Sequence, residues 1–178
     1  MPKPILALLA AAILGACGST KPESEQNSDT LNADCNAAIT RFKNRDSSIA
    51  KWFDKAHGYV VFPSIGKAGL FVGGAHGKGQ VYEQGKMIGY SMVTQGTIGL
   101  QIGAQVFAEV IFFKDATALA AFKEGNWEAG AQATAVAVKE GASADADYSK
   151  GVKIFTLIDG GLMAEAAVGG QKFSYAAK

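Results

Sequence analysis

The chain reads as an α+β protein: a mainly antiparallel β-sheet, or a barrel-like one, with N-terminal helices and one short helix near 115–123. Three observations predict this. A helical apolar period runs between Asn32 and Ala56. From Gly58 onward the pattern changes to short β-branched and aromatic runs cut by glycines. Glycine supplies 22 of 178 residues, above the ~7% of average proteins and without a collagen-like period, so it punctuates strands.

Hydrophobic residues make up 48% of the chain and charged residues 19%, enough for a sizeable core in one globular domain over 31–178. The formal net charge is +1; without Lys3 the bases and acids balance, so nothing in the composition supports nucleic-acid binding.

Residues 1–17 form a separate signal. Lys3 precedes an apolar run, Ile5–Leu14, whose helix of ~15 Å is too short for a hydrocarbon core of ~30 Å. The sequence Leu14-Gly15-Ala16-Cys17 is similar to the lipobox of bacterial lipoproteins. That resemblance implies cleavage before Cys17 and acylation, palmitate included, of Cys17. With Gly18 rather than aspartate next, it also implies delivery to the outer membrane, facing the periplasm. The alternative is an ordinary secretory signal that contains a cysteine. Cys35 then lacks a partner, either buried or exposed in the tether, and a structural disulfide is not expected.

Residues 18–30 are polar and aperiodic, the composition of a flexible tether. Between 32 and 56, Ala38, Ile39 and Phe42 share one helical face, and Ile49, Trp52, Phe53 and Ala56 another; Asn44-Arg45-Asp46-Ser47 divides the two, with Asp46 or Ser47 as cap. From Asn36 to Ala56, Arg41, Lys43, Arg45, Lys51 and Lys55 stand against only Asp46 and Asp54. Such a segment suits either a helix packed on the sheet with a solvated basic face, or a membrane-surface helix with Trp52 and Phe53 in the headgroup boundary. Trp52 also suits a core anchor.

Gly58–Pro63 is expected to be a buried strand stopped by Pro63, and Lys67–Gly74 a second strand. Gln80–Glu83 and Met87–Thr94 flank a turn at Gln84-Gly85-Lys86, a hairpin pattern. Gly99–Phe113 is a long candidate strand with Leu100, Ile102, Ala104, Val106, Ala108, Val110 and Phe112 toward the core. Asp115 is a natural N-cap for Ala116–Phe122, ended by Gly125-Asn126. Trp127–Val138 fits a strand with a small-residue face, or an alanine helix; Gly141–Tyr148 is a polar loop. Val152–Ile158, Leu162–Val168 and Lys172–Tyr175 are expected as a closing three-strand meander.

The block KAHGYVVFPSIGKAGLFVGGAHGKG over Lys55–Gly79, followed by Gly99-Leu100-Gln101-Ile102-Gly103, resembles the SYLF-domain family from roughly Ala38 to the C-terminus. The resemblance implies a small lipid-binding module whose eukaryotic relatives are associated with phosphoinositides and actin. For a chain at the periplasmic face, anionic phospholipid is the corresponding target.

Catalytic and cofactor motifs are incomplete. In Gly73–Gly79, Val72 stands where a Walker loop needs its first glycine and Gly79 replaces the Ser/Thr that would ligate Mg²⁺, so no nucleotide is expected. His57 and His76 have no HExxH or Cys/His setting and Gly-x-Ser-x-Gly is absent, so neither a metal nor a cofactor nor catalysis is expected. The expected function is peripheral binding of membrane phospholipid by Arg41, Lys43, Arg45, Lys51, Lys55, Lys67 and Lys78, with insertion of Trp52, Phe53 or Phe71. The alternatives are an envelope lipoprotein that docks a protein partner, and a carrier holding one lipid inside the sheet.

Overall fold

In the computed structural model, residues 19–69, 72–98, 103–125, 127–129, 135–160 and 170–178 are described. The signal segment 1–17, Phe71, and the expected strand at 162–168 lie outside them.

A long helix, α1 (Glu25–Arg45), leads through a 3-10 turn at Ser47–Ile49 into the short α2 (Ala50–Lys55). The strands follow: β1 (Gly58–Gly69), β2 (Val72–Glu83), β3 (Lys86–Ile98) and β4 (Gly103–Phe113). After α3 (Ala116–Lys123) come β5 (Trp127–Ala129), β6 (Ala135–Ala137), β7 (Val152–Gly160) and β8 (Gln171–Ala177). They make one sheet in the order β5-β8-β3-β2-β1-β4-β7-β6, antiparallel except where β6 runs parallel to β7. The expectation of an α+β fold, a mainly antiparallel sheet with N-terminal helices and a short helix near 115–123, is met.

The sheet curls strongly. β4 and β8 are separated by three strands, a flat-sheet distance of roughly 19 Å at ~4.8 Å per step. Yet Gln171 on β8 reaches Glu109 on β4 at 3.2 Å, and the rings of Phe62 (β1) and Phe173 (β8) lie 5.6 Å apart. Glycine on the inner face of β2 permits this approach. A Cβ on Gly79 would stand 2.7 Å from a Phe62 ring carbon and 2.3 Å from the Val61 carbonyl oxygen. The inner core is therefore aromatic and aliphatic, with Phe62, Phe107, Ile111, Phe113 and Phe173 closed at one end by Leu119 and Phe122 of α3. On the other face Cys35, Ala38 and Phe42 of α1, with Ile49 and Trp52, cover Tyr59, Val61, Val110, Phe112 and Phe155.

Several local expectations change. The tether was expected to extend to residue 30, but α1 starts at Glu25 because the Ser24 side chain accepts from Asn27 N, and Ser28 bonds Tyr90 across to the sheet at 2.7 Å. Pro63 does not end its strand. The register of β1 breaks between Phe62 and Ile65, so the missing N–H falls where no ladder bond is needed, and the Pro63 carbonyl accepts from Arg41 instead. In β4 both faces are buried over its second half, whereas Val106, expected in the core, is 45% exposed beyond the reach of α1. Of the expected closing meander, β7 pairs with β4 and β8 with β3, on opposite flanks of the sheet, while the middle strand lies outside the described residues. The hairpin at Gln84-Gly85 is present, with both residues at positive φ as a two-residue primed turn requires. Asp115 caps α3 through Ala118 N, and Gly125 ends it at positive φ.

Candidate functional site

The segment joining α1 to α2 is fixed by a buried carboxylate. Asp46 accepts from Ser48 N and Oγ through one oxygen and from Ser143 N and Oγ through the other, at 2.7–3.0 Å. Burial opposes its charge, but these four donors outweigh that and hold the carboxyl well below the usual range. Trp52 Nε1 donates to the Ser143 carbonyl at 3.0 Å and Lys51 Nζ to that of Ala144, so the loop 139–148 is stapled over the end of α2.

This clasp decides which of the expected lipid-facing residues reach the surface. Trp52 is buried among Phe112, Tyr148 and Phe155, with ring centroids at 5.8, 4.9 and 5.2 Å; it is a core anchor, not an insertion residue. Lys51 is committed to the loop carbonyl, and Arg41 Nη2 to the Pro63 carbonyl at 2.9 Å. Lys43, Arg45 and Lys55 are exposed, and the Lys43 ammonium lies 5.1 Å from the centre of the Phe53 ring. Phe53 is half-buried, edge-on to Tyr59 and Phe112. Because Asp46 is internal, Asp54 is the exposed acid left among residues 41–55. Beside this patch a polar cleft of about 460 Å³ opens between Phe53, Lys55, His57, Gln84 and Lys114. Lys114, immediately after β4, was not singled out from the sequence, although its place just before the Asp115 cap marks it as a surface cation.

The other two lysines are elsewhere. Lys78 is half-buried on the outer side of β2, where it lines a smaller groove with Leu31 and Asp34 of α1. Lys67 is 4% exposed and points to the inner face, which removes it from any surface patch. Cys35 is a free, buried thiol; burial pushes its pKa up to about 12, which makes it unreactive at neutral pH.

Among the described residues no group of three or more His, Cys, Asp or Glu converges as a metal site, and no helix is long and apolar enough to cross a membrane. His57 Nε2 stands 3.0 Å from Glu83, whose other oxygen is 3.8 Å from Lys123 Nζ. These contacts tie the hairpin to α3.

A curled antiparallel sheet with a capped inner core and a basic helical end defines a binding module. Residues 94–177 match the family model described as "Ysc84: Las17-binding protein actin regulator", and the chain belongs to this family, the SYLF-domain family that its glycine blocks resemble. It is also 32% identical over 145 residues to Beta cell expansion factor A of Aeromonas veronii. That match takes in 80% of this chain and 55% of the relative, so the chain spans about half the length of the curated relative it matches.

Proposed function

We propose that the protein is a non-catalytic lipid-binding module, held at the cell envelope by an acylated Cys17 and touching anionic phospholipid through the α1–α2 end. The observation that carries this is the patch of exposed Lys43, Arg45 and Lys55 around the half-buried Phe53, with the neighbouring acid Asp46 turned inward. Each lysine or arginine near an anionic surface contributes about 1 kcal/mol, and screening over ~8 Å reduces the sum. The Phe53 ring, already partly exposed, supplies the apolar contact. Arg41 and Lys51 are bound to carbonyls and serve to shape the patch. The outer membrane, facing the periplasm, is the location that the Leu14–Cys17 motif supports. Metabolic labelling with palmitate tests the anchor: the parent chain takes up label and Cys17→Ser does not.

A second reading, docking of an envelope protein, rests on a different observation. The outer face at the glycine-rich strand ends is uncovered, with Gly66, Ala68, Gly74, Thr94, Ala104 and Val106 exposed. A broad, small-residue, nearly uncharged surface suits protein contact, and the family description names a protein ligand. Vesicle binding that is lost with the basic patch supports the first reading; capture of a partner lost on Val106→Glu supports the second.

A further inference from the structure

α1 is a rod laid across the outer face of the sheet. Ser28, in its first turn, bonds Tyr90 of β3; Cys35 reaches the Val61 carbonyl of β1, and Arg41, near the other end, the Pro63 carbonyl. At ~1.5 Å per residue, Glu25 and Lys43 stand about 27 Å apart along it. The basic patch is at the far end, where Lys43 lies against Phe53 of α2. The chain ahead of α1 is pinned at the near end, because Thr20 Oγ1 and Ser174 Oγ of β8 are hydrogen-bonded at 2.8 Å. β8 flanks β3 on the side away from β1. Three Cα–Cα steps separate Thr20 from Cys17, so the Cys17 Cα lies within about 11 Å of Thr20 whatever path the chain takes. The acyl anchor and the patch are therefore at opposite ends of α1.

We propose that the anchored domain turns this patch away from its own bilayer and docks it on a second anionic phospholipid surface, so that one chain holds two membranes together. The inference rests on the acylation of Cys17 and the basic patch proposed above, and adds which membrane the patch meets. For the anchor and Phe53 to enter one bilayer, α1 must lie flat on it. Charge opposes that pose. Glu25 and Lys43 are about five turns apart and so project from the same side of α1, with Asp29 one turn on from Glu25; all three are exposed. A flat α1 that sets Lys43 on lipid sets Glu25 and Asp29 on it too, and their carboxylates offset the attraction of the lysine and arginine. Around the anchor, Glu23, Glu25 and Asp29 stand against Lys21 and against Lys172, a near neighbour of Ser174 on β8, so this end has no basic excess to hold it down. With α1 upright the acids stay clear of the second surface. The length of α1 exceeds the ~8 Å screening length several-fold, so each end responds to its own membrane.

The test couples Cys17 of residues 17–178 to a maleimide lipid in donor vesicles and measures capture of fluorescent acceptor vesicles by flotation; Cys35 is buried and does not compete. Donors and acceptors are each made from phosphatidylcholine with and without phosphatidylglycerol. Acceptors holding phosphatidylglycerol should be captured at least about tenfold more than pure phosphatidylcholine ones, with capture falling as salt rises. Capture should persist when the donor also contains phosphatidylglycerol, and should be lost in the triple variant Lys43→Gln, Arg45→Gln, Lys55→Gln, whose exposed substitutions leave the fold intact. Capture that disappears once the donor is anionic would show the patch docking on its own bilayer and would overturn the proposal. So would equal capture by the folded triple variant, or no capture while soluble residues 19–178 bind the same acceptors. If the soluble chain binds none of them, the patch itself is refuted and the bridge with it. Because the lipid is attached chemically, a parent chain that takes up no palmitate in the cell is a separate result: it removes the natural anchor, and the bridge falls for that reason alone.

Discussion

Gln171 on β8 donates to Glu109 on β4 across the inside of the sheet, with three strands between them along the ladder and 3.2 Å between the side chains. This bond links the C-terminal strand to the opposite wall, so the state of one buried carboxyl bears on how the sheet stays curled.

Glu109 makes stability depend on pH in an unusual direction for an acid. Burial raises its pKa from an ordinary 4.5 to about 8, with the Gln171 bond opposing the rise. The folded chain thus holds the proton more tightly than the unfolded one. The stabilisation is complete below 4.5, falls as pH rises toward 8, and is constant above. Urea unfolding between about pH 5 and about pH 9 should show this decline in the parent, and Glu109→Gln, which cannot ionise, should lose that component of the slope. Parallel stability curves for the two chains would contradict it.

Asp46 has the opposite sign. Its carboxyl is held well below the usual range, so the stability it contributes is present above about 4 and drains away as pH falls toward its folded value. Asp46→Ala removes an acceptor from two hydroxyls and two backbone amides, and should cost about 3 kcal/mol or more in chemical denaturation. Ser143→Ala keeps the backbone donor and should cost about 1 kcal/mol.

Glycines in the sheet are unequal. Gly79→Ala forces a Cβ against the Val61 carbonyl and the Phe62 ring and should destabilise by about 1–3 kcal/mol, whereas Gly96→Ala meets nothing within 4 Å and should leave the melting temperature nearly unchanged. Equal melting temperatures for the two variants would show that the sheet closes without the bare inner face of β2.

How far the sequence reveals these features depends on whether the signal is local. The cap at Asp115, the Gln84-Gly85 turn and the helical stripe through Ala38 and Phe42 arise within a few residues, and each is legible. Lys67 was misplaced because its face is set by an irregularity. Alternation from Val60 and Phe62 alone would put residues 64, 66 and 68 inside, but the bulge at Pro63-Ser64 shifts the phase and turns Ile65 and Lys67 inward. Trp52 is similarly decided at a distance, by the Ser143 carbonyl, 91 residues away in the chain. The inner Gln171–Glu109 bond was invisible for the same reason: the two residues meet only once the sheet has curled. The glycine blocks carried the family and not the location of the patch, which depends on Asp46 being used up internally.

The most direct test of lipid binding is co-sedimentation of residues 19–178 with vesicles of graded anionic phospholipid content, alongside the triple variant Lys43→Gln, Arg45→Gln, Lys55→Gln. These side chains are exposed, so the variant should keep the parent's circular dichroism and melting temperature. Binding of the parent should rise with anionic content and fall with salt, and the variant should lose up to about 3 kcal/mol at low ionic strength. A folded variant that binds anionic vesicles as tightly as the parent, or a parent that binds none at any composition, would contradict the account.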